Sequence, residues 1–286
     1  MFFILLILSM VLWGISWPVS KIISKEASFE MVLFLRFFTT TLAYIPILLI
    51  RKESFVLNKK SARNIFFASI ILLSYNLCFF AGVKYGLAGL GGVLATSLNP
   101  IFNFLFVTML TRQLIPSIKI FGILIGVFAG LIILQIWNFN SEELIRGGNF
   151  YFLLASISWA ILTMITSSSK GNISILTYSF YIYLIGTVIS FFFVYTQDFN
   201  QLWNLSTQFW VGLFFISCIS TAFGTTIYFF ASTKLGSIGA SSFIFLVPLS
   251  AMFSSWALVG EEPKPTTIFG GVLAIFAVYL INKKNV

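Results

Sequence analysis

Side chains that could carry out chemistry are scarce in this chain of 286 residues, which contains no histidine, two cysteines and eight acidic residues. The cysteines, Cys78 and Cys218, lie far apart in apolar stretches, a pattern that favours neither a disulfide nor a metal pair. No Ser–His pair, paired carboxylates or metal-ligand cluster is present to activate a nucleophile. The sequence therefore predicts a protein that is not an enzyme and that needs no cofactor and no metal.

Arg36 has the most unusual position of the charged residues, because it lies inside an apolar stretch of about 20 residues. In a lipid bilayer a charged side chain is costly unless it faces a cavity or finds partners. One interpretation makes Arg36 a cavity cation that binds a substrate carboxylate or phosphate. The other makes it a structural anchor, paired with Glu26 or Glu30 or bonded to loop carbonyls. Both interpretations stay open.

The composition places these residues in a membrane protein. Hydrophobic residues make up 59% of the chain and charged residues 9%, against roughly 45–50% and about 25% in soluble domains. Soluble, disordered and disulfide-rich folds are therefore excluded. The apolar stretches lack the alternation of β-barrel strands and predict an all-α polytopic membrane protein with ten transmembrane helices. They lie near residues 2–22, 30–50, 64–83, 88–111, 116–137, 148–168, 174–196, 208–231, 236–259 and 266–282.

The distribution of charge predicts the orientation of these helices. If both termini are cytoplasmic, the inner connectors hold eleven basic residues and one acidic residue, whereas the outer connectors hold five basic and seven acidic residues. Positive residues accumulate on the cytoplasmic side of membrane proteins, so both termini are predicted to be cytoplasmic. The net charge of +9 is then a topology signal, and no nucleic-acid partner is indicated.

The two halves of the chain resemble each other. An offset of 148 residues joins Pro100 to Pro248, and the same offset relates a glycine that follows each proline. Residues 1–137 and 148–286 are therefore predicted to form two five-helix repeats. Because five is odd, the second repeat enters the membrane from the opposite side, an arrangement typical of secondary transporters with a substrate site near the midplane.

These motifs, in this order, resemble those of the drug/metabolite transporter (DMT) superfamily, and specifically of its ten-helix EamA-type transporters. The matching features are Trp13-Gly14, which recurs at an offset of 146 as Trp159-Ala160, then Lys21, Arg36 and two blocks in which Lys, Gly, Pro and Gly follow one another. The second block ends in LVPLSAMFSSWALVGEEPKPTTIFGGVLAIFAVYLI, which matches the closing pattern of the family. The resemblance covers nearly the whole chain.

The resemblance implies that a small molecule is moved across a bacterial inner (plasma) membrane, by export or exchange, and it does not identify the substrate. One departure from the family pattern is Gln113, because the family usually has an acidic residue there that matches Glu261. A structural role shared by the two acids is therefore not implied for the first half.

Polar and aromatic side chains near the two prolines predict a central substrate cavity. Proline removes a helix hydrogen bond and bends the helix, so Pro100 and Pro248 are predicted to kink helices that line this cavity. Polar contacts that merely join helices are the alternative interpretation. The predicted lining residues are Trp17, Arg36, Tyr75, Asn76, Thr96, Asn99, Asn103, Trp159, Tyr181, Tyr228 and Ser242.

A glycine ridge on the fifth helix, formed by Gly122, Gly126 and Gly130, predicts close packing between helices. Its partner could be the tenth helix, which carries Gly270 at the equivalent position. Packing within a monomer is one interpretation and formation of a homodimer is the other.

The expected function is secondary transport, as an exporter, uniporter or exchanger, of a small amino-acid-like metabolite by alternating access between the inverted repeats. A carboxylate on the substrate would suit Arg36. A nucleotide-derived metabolite or nucleotide sugar is the alternative substrate, and a non-transporting membrane scaffold is the alternative from another class. Because no acidic residue lies in the middle of a span, an uncoupled mechanism is expected, and proton coupling by Glu261 or Glu262 at an outer helix end is the alternative. The expected partners are the substrate and the lipid bilayer.

Overall fold

The computed structural model describes residues 1–85, 88–112, 116–138, 148–259 and 265–283, and within these ranges the chain is helical and contains no strand. The apolar stretches fold into helices because lipid offers no hydrogen-bond partner for the backbone. The first seven helices are α1 (Phe2–Ile23), α2 (Phe29–Arg51), α3 (Lys59–Tyr85), α4 (Ala88–Thr111), α5 (Ser117–Leu134), α6 (Gly148–Ser168) and α7 (Ile175–Phe191).

The next two helices are composite. The eighth, α8, covers residues 207–235 and contains a π-helical segment, Phe215–Thr225, between two α-helical parts. It ends at Gly236, whose φ of 78° and ψ of 167° are not helical. The ninth, α9, covers residues 237–259 and includes a 3-10 segment, Phe243–Leu246. The tenth, α10, is Pro265–Asn282, and short 3-10 turns, Ile136–Asn138 and Phe199–Asn204, lie in connectors.

The length and apolar character of these helices suit a bilayer. Six helical stretches of the described chain are long and apolar enough to cross a membrane, and one of them, Thr207–Leu258, contains both α8 and α9. Three further apolar stretches of 17 residues lie within α4, α5 and α7. They are Ala95–Thr111, Ser117–Ile133 and Ile175–Phe191. The prediction of an all-α polytopic membrane protein with ten helices is therefore confirmed.

Capping residues fix where several helices begin. Ser28 Oγ accepts a hydrogen bond from Met31 N, and Ser174, 146 positions later, does the same for Thr177 N, each at 3.2 Å. Such a cap satisfies a backbone donor that the first helical turn leaves without a partner. Equivalent caps at the starts of α2 and α7 show that the internal repeat extends to local hydrogen bonding.

Contacts between equivalent residues locate a pseudo-twofold axis between the halves. The ring centroids of Trp13 and Trp159 are 5.1 Å apart, those of Phe37 and Tyr183 are 5.6 Å apart, and the hydroxyls of Thr41 and Thr187 are 3.1 Å apart. The members of each pair are 146 positions apart in the sequence. A residue touches its own equivalent only where both lie close to the symmetry axis, so the axis passes between α1 and α6 and between α2 and α7.

The packing of the helices obeys the same symmetry. The contact of α3 with α6 recurs as that of α8 with α1, and the contact of α4 with α6 recurs as that of α9 with α1. Two extensive interfaces, α2 with α7 and α5 with α10, each join a helix to its own equivalent. Five crossings in each half make the equivalent helices run in opposite directions, which is the inverted-repeat arrangement.

The predicted glycine ridge of α5 packs against α10 and, at Gly126, against α9. A Cβ atom on Gly270 would lie 2.8 Å from the carbonyl oxygen of Ala129, and one on Gly122 would lie 2.7 Å from Cγ1 of Ile281. Gly126 lies against the ring of Phe245, and Gly130 is buried. In this structure the small residues allow close helix contact within one chain.

Connectors pair across the halves and define two faces of the bundle. On the face that carries both ends of the chain, here called the termini face, the hydroxyl of Tyr181 donates to Phe55 O at 2.8 Å. On the opposite face, the hydroxyl of Ser206 donates to the carboxylate of Glu26 at 2.7 Å. The loop that precedes the third helix of each half is therefore bonded by the other half, by the second helix of that half on the termini face and by the loop before its second helix on the opposite face.

Candidate functional site

A cavity lies in the middle of the bundle and takes its lining from eight helices of both halves. Its volume is about 70 Å³, and a buried water needs about 10–15 Å³ on this measure, so the space suits a small molecule. On each helix the lining residues lie near the middle of the helix or nearer to the face of the bundle that is opposite the termini face. They are Trp13, Ser16, Trp17, Ser20, Arg36, Phe37, Leu72, Tyr75, Asn76, Phe79, Ala95, Thr96, Asn99, Trp159, Tyr183, Ser220, Thr225, Ile244 and Val247.

Arg36 is the cation of this cavity, and its partners are neutral. Its Nε and Nη2 atoms lie 3.2 and 3.0 Å from Thr221 Oγ1, and its Nη1 atom lies 3.3 Å from Asn76 Oδ1. Among the described residues, no acidic side chain comes within 4.0 Å of the guanidinium. The carboxylate of Glu26 instead binds Ser206. The ion pair considered from the sequence does not form in this structure.

The π-helical segment of α8 places Thr221 beneath the guanidinium. The Thr221 hydroxyl donates to Ile216 O, five residues earlier, at 2.6 Å, which leaves its oxygen to accept from Arg36. Side chains of α2 stabilise the unusual backbone, because Thr40 Oγ1 donates to Ser217 O and the Tyr44 hydroxyl donates to Ala222 O, both at 3.1 Å. π-Helical turns often occur at functional sites.

Asn76 is oriented by its own helix. Its amide nitrogen donates to Leu72 O at 2.9 Å, so that its oxygen points to the guanidinium of Arg36. Arg36 thus joins the third helix of each half, α3 through Asn76 and α8 through Thr221.

Aromatic rings surround much of the remaining cavity. The centroid of Trp159 lies 5.1 Å from that of Trp13 and 4.6 Å from that of Tyr75, and Trp17 lies 4.7 Å from Phe79. The rings are tilted or perpendicular to one another, the geometry that aromatic pairs prefer. They provide a rigid surface that can hold an apolar group or, by the face of a ring, a cation.

The two halves line the cavity with different chemistry. On α4 the lining residues Thr96 and Asn99 are polar, whereas the equivalent residues of α9, Ile244 and Val247, are apolar. The position equivalent to Arg36 is Ile182, which is buried. The symmetric scaffold therefore carries an asymmetric site, in which the cation and the amides come from the first half.

Seven of the eleven predicted lining residues are brought together by the structure. They are Trp17, Arg36, Tyr75, Asn76, Thr96, Asn99 and Trp159.

The other four predicted residues lie outside the cavity lining, where they join neighbouring elements. Asn103 donates to Ala160 O at 3.3 Å, one helical turn beyond Asn99, because α6 packs closely against α4 there. Tyr181 lies at the termini face, as described above. Tyr228 bonds Thr163 at 3.0 Å behind the tryptophans, and Ser242 accepts from Asn282 Nδ2 at 2.8 Å.

Three lining residues that the sequence analysis did not identify, Trp13, Ser16 and Ser20, form a readable pattern on α1 together with the predicted residue Trp17. Trp13, Ser16, Trp17 and Ser20 are spaced by three and four residues, so they lie on one face of the helix. This alternation of tryptophan and serine was an available signal. The apolar lining, such as Ile244, has no such signal because it resembles ordinary lipid-facing sequence.

The two prolines lie in different local structures. Helix α4 continues through Pro100, whereas Pro248 lies at the junction between the 3-10 segment and the α-helical part of α9. The acidic position Glu261 and its counterpart Gln113 lie outside the described residues.

Comparison with known proteins identifies the family. A profile of the EamA-like transporter family matches the chain twice, over residues 1–135 and 146–283. The chain belongs to the EamA-like transporter family. The two matches together cover nearly the whole chain. The family is described as one of transporters.

Relatives of the chain occur in all domains of life. A transporter of Archaeoglobus fulgidus is 24% identical over 99% of this chain and 97% of its own length, and the YoaV transporter of Bacillus subtilis is 22% identical over 94% and 92%. A WAT1-related chloroplastic protein of Arabidopsis thaliana is 29% identical over 72% of this chain, a match that spans 52% of that protein. A solved crystal structure aligns with a TM-score of 0.74 at 14% identity over 96% and 94% of the two chains, which supports the fold.

Proposed function

We propose that this EamA-like protein is a secondary transporter of a small, amino-acid-like metabolite whose carboxylate binds Arg36. The observation that carries the proposal is a part-buried guanidinium in the cavity with only neutral partners. A guanidinium has five N–H donors, and the bonds to Thr221 and Asn76 use three of them. Two donors remain for a carboxylate, which arginine binds in a bidentate manner.

The dimensions and charge of the cavity favour this substrate over the alternatives. A volume of about 70 Å³ suits a small metabolite better than a nucleotide sugar. A diphosphate would also call for more than one cation, and Arg36 is the cation among the described lining residues. The tryptophans and the α9 residues Ile244 and Val247 suit the apolar part of an amino acid.

Movement of one half against the other would expose the site to each side in turn. The contacts between the halves include hydrogen bonds between neutral groups, such as Ser16 with Ser220, and aromatic contacts, such as Trp13 with Trp159, so the halves can move without breaking an ion pair among the described residues. With the termini in the cytoplasm of a bacterial cell, the present cavity lies towards the outer side. No acidic side chain lines the cavity among the described residues, which supports uniport or exchange.

Ligand binding to the purified protein tests this proposal. The twenty amino acids, their amides and uridine diphosphate glucose would be screened by thermal shift, because a ligand of the folded state raises its unfolding temperature. We expect shifts from one or more amino acids and none from the matching amides. Arg36→Gln should lose the shifts and Lys119→Gln, a charge change outside the cavity, should keep them.

Flux measurements complete the test. Proteoliposomes loaded with the best-binding amino acid should take up the labelled compound by counterflow, and an imposed pH gradient alone should not drive accumulation. A shift with uridine diphosphate glucose alone would replace the substrate assignment, and absence of flux would favour a scaffold. Size-exclusion chromatography of Arg36→Gln separates the two roles of Arg36, since a structural anchor would be needed for a folded protein.

A further inference from the structure

A second cavity lies at the termini face, between the start of α3, the end of α6 and the connector that follows α6. Its volume is about 370 Å³, larger than that of the central cavity. Two cations, Lys60 and Arg63, line it together with hydroxyl and amide groups of Ser61, Ser168 and Asn172. No acidic residue is among its described lining residues. The transport site described above does not include any of these residues.

The lining changes from charged to apolar along α3. Lys60, Arg63, Asn64 and Phe67 are spaced by three and four residues and therefore share one face of the helix. At about 1.5 Å per residue, Phe67 lies about 10 Å deeper than Lys60. Its ring is 53% exposed, in a helix that crosses the membrane, so it faces the hydrocarbon. The cavity is thus cationic at the level of the headgroups and apolar below.

Asn64 has an unused acceptor in the wall of the cavity. Its amide nitrogen donates to Ile165 O at 3.1 Å and to Ser168 Oγ at 3.0 Å, which fixes the orientation of the group. Its Oδ1 atom is buried and has no hydrogen-bond partner in the structure. A buried acceptor without a partner is unfavourable, and this atom lies beneath the surface of the cavity wall.

The equivalent place in the other half has a carboxylate in place of the two cations. There Glu26 accepts hydrogen bonds from the backbone nitrogen and the hydroxyl of Ser206, at 2.9 and 2.7 Å. The residue 146 positions after Glu26 is Asn172, which carries no charge and whose backbone oxygen accepts from Ser61 Oγ at 3.3 Å. The place near Ser206 has the carboxylate of Glu26, whereas the cavity at the termini face has the cations Lys60 and Arg63. An anion is therefore attracted to the cavity and not to the equivalent place.

We propose that this cavity binds one anionic phospholipid, with its phosphate at Lys60 and Arg63 and an acyl chain along Phe67. Basic pockets between transmembrane helices are a recurrent mode of lipid headgroup binding. A free phosphate would satisfy the cations but would leave the apolar surface of the cavity unused.

Thermal unfolding of delipidated protein in a neutral detergent tests this site. The probes are dioleoyl phosphatidylglycerol, dioleoyl phosphatidylcholine and soluble glycerol 3-phosphate. The proposal expects phosphatidylglycerol to raise the unfolding temperature of the wild type more than phosphatidylcholine does. The double variant K60Q/R63Q should bind phosphatidylglycerol about 30-fold more weakly, because each cation near a lipid headgroup contributes about fivefold in affinity.

A matched variant separates the site from the general charge of this face. R112Q/K119Q removes one arginine that follows α4 and one lysine in the first turn of α5, both outside the cavity, and should keep the full effect of phosphatidylglycerol. The proposal is overturned if K60Q/R63Q keeps that effect, if R112Q/K119Q loses as much of it, or if glycerol 3-phosphate reproduces it. The single variants K60Q and R63Q, both at exposed positions, repeat the test if the double variant does not fold.

Discussion

The helices α4 and α9 occupy equivalent places around the central cavity and carry opposite chemistry. Thr96 and Asn99 of α4 correspond to Ile244 and Val247 of α9, and all four line the cavity. The third helices differ as well, since α8 contains a π-helical segment and α3 is α-helical throughout. The repeated fold supplies a symmetric framework around the cavity, and local sequence differences make the lining of the cavity asymmetric.

The largest effect is expected from removing the charge of Arg36, whose equivalent position in the second half is the uncharged Ile182. Arg36→Gln keeps a polar side chain but loses the two donors offered to a carboxylate, which together contribute about 3 kcal/mol, or about 100-fold in affinity. The affinity for the best-binding amino acid, measured by calorimetry, should fall accordingly. Ile182→Val, at the equivalent position of the second half, should change it little. Equal losses of affinity in both variants would contradict an asymmetric site in which Arg36 binds the carboxylate.

The next effect concerns stability, in a region where the halves are alike. Gly270→Ala places a methyl group against the backbone of Ala129, which cannot yield easily, and should cost about 1–3 kcal/mol. Gly122→Ala meets mainly the side chain of Ile281 and should cost less. Thermal unfolding in detergent measures both, and a larger loss for the Gly122 variant would show that the contacts are ranked incorrectly.

A smaller effect should follow when α9 is made to resemble α4. Ile244→Thr gives α9 the hydroxyl of Thr96 and removes apolar surface, so the preference for leucine over serine as ligands should fall about tenfold. Ile275→Thr, on the exposed side of α10, is the control and should leave the preference unchanged. If both variants behave alike, α9 does not contact the substrate.

The smallest effect tests the support of the π-helical segment. Tyr44→Phe removes the hydroxyl that bonds Ala222 O, but Thr226 Oγ1 still donates to the same oxygen at 2.6 Å. The free energy of unfolding should therefore fall by only about 1 kcal/mol. Tyr279→Phe, whose ring is exposed, should show no change in chemical denaturation. A loss of several kcal/mol in Tyr44→Phe would mean that the segment depends on this one hydroxyl.

Much of the fold could be predicted from the sequence because membrane insertion depends on local properties. The apolar stretches, capping residues such as Ser28 and Ser174, and the constant offset between the halves are all read along the chain. The predicted span near residues 174–196 was longer than the observed α7, since the apolar residues after Phe191 continue into turns. Hydropathy measures partition into lipid and does not detect where a helix ends.

The candidate site was predicted less completely, because polarity within a span has two causes. Asn99 and Asn103 lie on the same helix face and both donate to the backbone of α6, at Ser156 O and Ala160 O, yet only Asn99 also lines the cavity. Tyr181 was predicted to line the cavity, but its hydroxyl bonds the connector at Phe55. The sequence does not distinguish a polar side chain that lines a cavity from one that joins two helices.

The sequence by itself determined the membrane environment, the number of helices and the duplicated plan, since each follows from composition and periodicity along the chain. Only the tertiary structure decided the surroundings of Arg36. Its partners Asn76 and Thr221 are 40 and 185 positions away, and the acids Glu26 and Glu30, close in sequence, do not pair with it in the described structure. Sequence proximity does not place charges together when the helix directs their side chains apart, and the packing of distant helices left Arg36 with neutral partners and donors for a ligand.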